Sequence, residues 1–171
     1  MLEIIPNIHP FLVHFTVALI SIACLVFILS IITHRWVKLR QELLIVFRWS
    51  LWLCAIFSIA TIVAGFYAYY SVEHNDVSHA VMKTHRNWAL AAFVVIEIMA
   101  IWLAIQLIKK RQIRILFCIG VFIAFSLVSI SGWYGAELVF RYGAGVISRP
   151  QENKSVIAPP KNGGIESAHK H

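Results

Sequence analysis

Histidine is the side chain best suited both to ligate a metal and to move a proton near neutral pH. This chain carries eight of them. His34 follows the first long apolar run, and His169 and His171 close the sequence. The other five, His9, His14, His74, His79 and His85, cluster before or at the start of the first and third apolar runs. Imidazole is costly in lipid unless it is paired, ligating or solvated. One histidine at an interface is ordinarily just solvated, but five at one level form a layer. His9 precedes the first helix, and His14 lies about 6 Å deeper at about 1.5 Å per residue. His85 stands three residues before Trp88, where the third helix enters the apolar region, so it matches His14 in depth.

The spacing of these residues selects among chemistries. His9 to His14 and His79 to His85 are five and six residues apart. Neither pair shares a helix face as an i,i+4 pair would. No Cys or Asp at that level completes a tetrahedral zinc set. One histidine from each of two helices, facing across a gap, is how a helical bundle holds a planar cofactor, and bis-His ligation suits haem b. His14 and His85 are the expected axial ligands, with His9, His79 and His74 as weaker candidates. Gly65, Gly132 and Gly135 lie at the same level. A flat ring needs close backbone approach, which glycine permits, although small residues also serve helix packing in membranes. Arg86 and Arg141 are placed to pair with propionates. His34 has no second histidine near it in the sequence, so one ligand layer is expected.

Glu97 interrupts the run WALAAFVVIEIMAIWLAIQLI near its centre. An ionisable group there is expensive, which makes it a functional candidate for a proton step or a quinone contact. Ser21, Ser58, Thr61 and Ser126 fall near its depth as hydrogen-bond partners. The alternative is a neutral polar bond that fixes helix packing.

These residues need a membrane scaffold. The chain has 171 residues, is 60% hydrophobic and only 13% charged, where soluble domains run nearer a quarter charged. Four apolar runs, about 11–33, 49–70, 88–108 and 115–140, are each long enough to cross roughly 30 Å of hydrocarbon as a helix. No shorter alternating segments of the kind that build a β-barrel occur. The fold class is therefore all-α, an integral membrane four-helix bundle over residues 1–147, followed by a Pro-, Gly- and Asn-rich tail over 148–171 that reads as mobile. The formal net charge of +7 reads as orientation, not nucleic-acid binding. Arg35, Lys38, Arg40 and Arg48 lie between runs one and two, and Lys109, Lys110, Arg111 and Arg114 between runs three and four. The positive-inside rule puts both links in the cytoplasm and both termini outside. The first run lacks the basic flank and the cleavage site of a signal peptide. Cys24, Cys54 and Cys118 all sit inside apolar runs, without a C-x-x-C pair or a c-type haem motif.

The opening NIHPFLVHFTVAL and the closing GWYGAELVFRYGAGV resemble the two landmarks of the family called domain of unknown function 2231. His85 fits a histidine near the start of that family's third helix. The resemblance covers about residues 7–147 and implies a four-helix protein of the bacterial inner membrane. Two positions depart from the pattern: Thr16 stands where the family often has Pro, and Tyr142 where it commonly has His. The architecture is similar to that of small membrane cytochromes b, which is analogy only.

The expected function is thus a haem b electron carrier or anchor subunit, exchanging electrons with a quinone or an extracytoplasmic redox protein, as part of a larger membrane complex or alone. The rivals are an extracytoplasmic copper- or zinc-binding membrane protein and a cofactor-free structural or assembly subunit. No nucleophile–base–acid set of a hydrolase is readable.

Overall fold

The computed structural model describes residues 8–71, 76–110 and 115–143. Four helices make up the described residues: α1 His9–Ile32, α2 Val37–Ser71, α3 Asp76–Ile108 and α4 Ile115–Phe140. No strand occurs among the described residues. All four are long and apolar enough to span a bilayer. Pro10 sits in the first turn of α1, where its missing N–H leaves nothing unpaired.

α1 and α4 match the apolar runs closely, whereas α2 and α3 start well before theirs. α2 extends back through VKLRQELLIVFR, and its 35 residues span about 52 Å against a hydrocarbon core of about 30 Å. Those added residues are mostly Leu, Arg, Lys, Gln and Glu, all strong helix formers. The helix therefore continues where the hydropathy stops. α3 likewise begins three turns above Trp88, so His79 and His85 are both helical. His74 and the 148–171 tail, with His169 and His171, lie outside the described residues.

The burial pattern is that of a protein solvated by lipid. Thr16, Ser30, Ser50, Ser58, Thr61 and Ser131 are buried inside the bundle, while Ile22, Leu25, Val63, Ile98 and Phe122 face outward. Small and hydroxyl-bearing side chains let helix backbones approach, and apolar ones meet acyl chains without cost. α1 packs most extensively on α2 and α3 on α4, making two hairpins. Narrower seams join α2 to α3 and α1 to α4.

The two ends of the bundle differ. At the end remote from the histidines, Phe27, Phe47 and Phe117 interlock, with ring centroids 4.6, 6.1 and 5.8 Å apart. Trp102 covers Phe117 at 5.0 Å. At the histidine end the interior is hollow.

Candidate functional site

The hollow is a cavity of about 470 Å³ bounded by all four helices. His9, His14, His85, Gly65, Gly132 and Gly135 all line it. The fold brings His9 and His85 together, with ring centroids 6.3 Å apart and planes inclined at 79°. His14, expected opposite His85, is instead exposed at the rim, and its Nδ1 lies against the Pro10 carbonyl. The reason is rotational. Five residues at about 3.6 per turn place His14 some 140° around α1 from His9.

Both paired histidines are held in the same way. His9 Nδ1 donates to the Thr61 carbonyl at 3.0 Å, and His85 Nδ1 donates to the Ser131 carbonyl at 2.9 Å. The Ser131 hydroxyl lies 3.4 Å from the same His85 nitrogen. A carbonyl can only accept, so in the neutral ring the proton sits on Nδ1 and the lone pair on Nε2. That orientation of a ring by a backbone carbonyl is the usual support of a metal-ligating imidazole. Each ring also rests on a glycine one turn beyond its carbonyl partner. A Cβ on Gly65 would lie 2.9 Å from His9 Cε1, and one on Gly135 would lie 3.2 Å from His85 Cε1. Gly132 has nothing within 4 Å of its would-be Cβ and borders open cavity.

The arrangement repeats between hairpins. Thr61 and Gly65 stand in α2 as Ser131 and Gly135 stand in α4. α1 runs 24 residues from His9 to Ile32, and α3 runs the same length from His85 to Ile108. The sequence alone shows no such repeat, because only these few side chains carry it. A signal for His9 is present, however. Thr16, Ile20, Ala23, Phe27 and Ser30 are buried along α1 at alternating spacings of four and three. His9 is seven residues before Thr16 and continues that stripe; His14 does not.

The other expected residues separate. Arg86 lines the cavity, with its guanidinium 5.2 Å from the centre of the Tyr69 ring and a 3.3 Å hydrogen bond to Asn87 Oδ1. Arg141 lies outside the lining and forms a 2.7 Å ion pair with Glu137. His79 packs beside Tyr69 at 6.0 Å, away from the pair. Of the four hydroxyls at the depth of Glu97, Ser58 reaches it, with Oγ 2.8 Å from Oε1. Ser21 and Ser126 turn back to the carbonyls of Val17 and Phe122 on their own helices. Thr61 instead meets Thr16, hydroxyl to hydroxyl, at 2.9 Å. Among the described residues, no three His, Cys, Asp or Glu side chains gather to hold a metal ion.

Residues 5–148 match the family described as predicted membrane protein (DUF2231). The chain belongs to that family. Neither a curated protein nor a solved structure matches it. Thr16, which departs from the DUF2231 pattern, is buried against Thr61, directly below His9. The other departure, Tyr142, follows the end of α4.

Proposed function

We propose that the cavity is a haem b site that His9 and His85 would hold, and that the protein passes electrons at the outer leaflet of a bacterial inner membrane. The observation that carries this reading is the pair of carbonyl-anchored imidazoles facing across a hollow built by all four helices. Three features of the residues suit the group. Two imidazoles that would hold one ion, each through a nitrogen about 2.0 Å from it, must bring their rings within a few ångströms of a shared point. The ring centroids stand 6.3 Å apart. A cavity of about 470 Å³ falls in the range of cofactor sites. Two protein ligands are what a haem requires, whereas a structural zinc ion takes four.

The bound group would supply one-electron chemistry, and its potential would follow from ligation and burial. The chain's own residues do the rest. Thr61 and Ser131 hold the rings against rotation. Gly65 and Gly135 let the rings retract from the centre of the cavity. Leu90, Leu138 and Val139 give it apolar walls. Arg86 stands at the wall as the cation suited to a propionate. A quinone or an extracytoplasmic redox protein is the natural exchange partner at that leaflet.

The test is the dithionite-reduced minus oxidised visible spectrum of protein expressed with ample haem. Sharp Soret and α bands are expected in the wild type and in His14→Ala, and their loss in His9→Ala and His85→Ala. A colourless wild type sinks the reading. Loss in His14→Ala with retention in His9→Ala returns His14 to the role of ligand.

A further inference from the structure

A second, smaller cavity of about 70 Å³ lies below the histidine pair. His9, Val13, Ile62, His85, Ala89 and Gly132 line both cavities, so the two imidazoles border the one and the other. The lower cavity is edged by the hydroxyl-bearing Thr16, Thr61, Ser131 and, at its deep end, Ser58. It has the room and the polar partners for several waters at about 15 Å³ of probe volume each. Ser58 is buried and joins the cavity to Glu97.

The Ser58 hydroxyl lies 2.8 Å from the Ala55 carbonyl and 2.8 Å from Glu97 Oε1. It has one hydrogen to give. Both contacts are hydrogen bonds at once only when Glu97 carries a proton and donates it to Ser58 Oγ. When Glu97 is ionised, the same hydroxyl turns its hydrogen to Oε1. The site thus serves the acid with and without its proton, with no movement of heavy atoms. Cys54 on α2 is a nearby titratable group, and His9 and His85 stand above on α1 and α3. Beyond Glu97 the Phe27, Phe47, Phe117 and Trp102 cluster packs the bundle.

We propose that Glu97 is a proton-loading site, filled and emptied from the histidine end through the lower cavity and Ser58. A hydronium in the lower cavity gives its proton to Ser58 Oγ as the hydrogen of Ser58 passes to Glu97 Oε1. One O–H bond breaks on the cavity water and one forms on Glu97, and Ser58 ends as it began. The path stands without any cofactor, so a colourless protein leaves it intact.

Infrared spectroscopy of the full-length protein in lipid nanodiscs tests this, with deuterium as the probe. The wild type is expected to show the carbonyl stretch of a hydrogen-bonded carboxylic acid that is absent in Glu97→Gln. It shifts on Ser58→Ala, which removes its partner. Transfer to D2O moves the band, and Gly132→Leu, which fills open cavity space, slows that move at least ten-fold without changing the band's starting position. Ala89→Val serves as the second filler should Gly132→Leu fail to fold, as judged by its helical circular dichroism. An acid band unchanged by Glu97→Gln overturns the proposal, and so does deuterium exchange as fast in the folded filler variant as in the wild type.

Discussion

A methyl group placed on Gly65 would lie 2.9 Å from His9 Cε1 and 3.1 Å from Nδ1. Carbon pairs are comfortable at about 3.5–4.0 Å, so the ring must retreat by about 0.6 Å. That retreat opens the 3.0 Å bond from Nδ1 to the Thr61 carbonyl beyond useful length. Losing the bond costs about 1 kcal/mol, and forcing the ring off its rotamer about 1 kcal/mol more. Replacing a helical Gly by Ala returns about 1 kcal/mol of helix propensity. The net change in stability is therefore small, within about 1 kcal/mol, and the effect falls on ligand placement. Loss of an orienting partner typically weakens metal binding by about 10–100-fold. At Gly135 the closest approach is 3.2 Å, so the ring yields by a few tenths of an ångström and the loss stays under about ten-fold. At Gly132 nothing lies within 4 Å, and Ala leaves affinity unchanged. Haem titration of the three purified Gly→Ala variants, with thermal unfolding in parallel, reads the series. The expected order of damage is Gly65, then Gly135, then Gly132. Equal effects at all three, or stability losses without any change in affinity, would show that these glycines serve helix packing alone.

Two further outcomes follow from the geometry. Thr16→Val keeps the side-chain volume but removes the 2.9 Å bond to Thr61 in a buried position, so unfolding stability should fall by about 1 kcal/mol with the haem spectrum retained; no change in stability would show the Thr16–Thr61 bond to be dispensable. Ser71 is exposed at the C-terminal end of α2 and His34 in the α1–α2 turn before its other end, so each can report sidedness. A membrane-impermeant maleimide added to intact cells should label Ser71→Cys and spare His34→Cys, in a background lacking the native cysteines; the reverse would invert the orientation drawn from the basic links.

The sequence made the four spans legible because hydropathy senses the hydrocarbon slab directly. It marked α1 and α4 within a few residues, since both end near the interface. It missed the early start of α2, because a helix built from Leu, Arg, Gln and Glu leaves the membrane without a hydropathic signature, whereas Asp76 and Ser78, both able to cap a helix, mark an α3 that starts above the membrane. The level of the cavity was readable from His85, Gly65, Gly132 and Gly135, all of which line it. Which α1 histidine faces inward was not readable from depth. α1 is apolar on every side, so amphipathic periodicity gives no inward face. Small and hydroxyl residues mark that face instead, and following Thr16 back by seven reaches His9. The anchors on Thr61 and Ser131 are backbone carbonyls, and no residue type announces a carbonyl that will take a second hydrogen bond. Glu97 announced itself by cost, while its choice of Ser58 over Ser21 and Ser126 depended on the rotation of three helices.

Each imidazole is tied to its own hairpin, His9 to α2 and His85 to α4, and neither bond crosses a seam. The protein therefore behaves as a pair of calipers. The jaws are the two extensively packed hairpins, and between them lie the narrower α2–α3 and α1–α4 seams. A load that spreads or shears these seams, whether a docked subunit or a change in bilayer thickness, acts on the gap between the two rings, because each ring moves with its own hairpin.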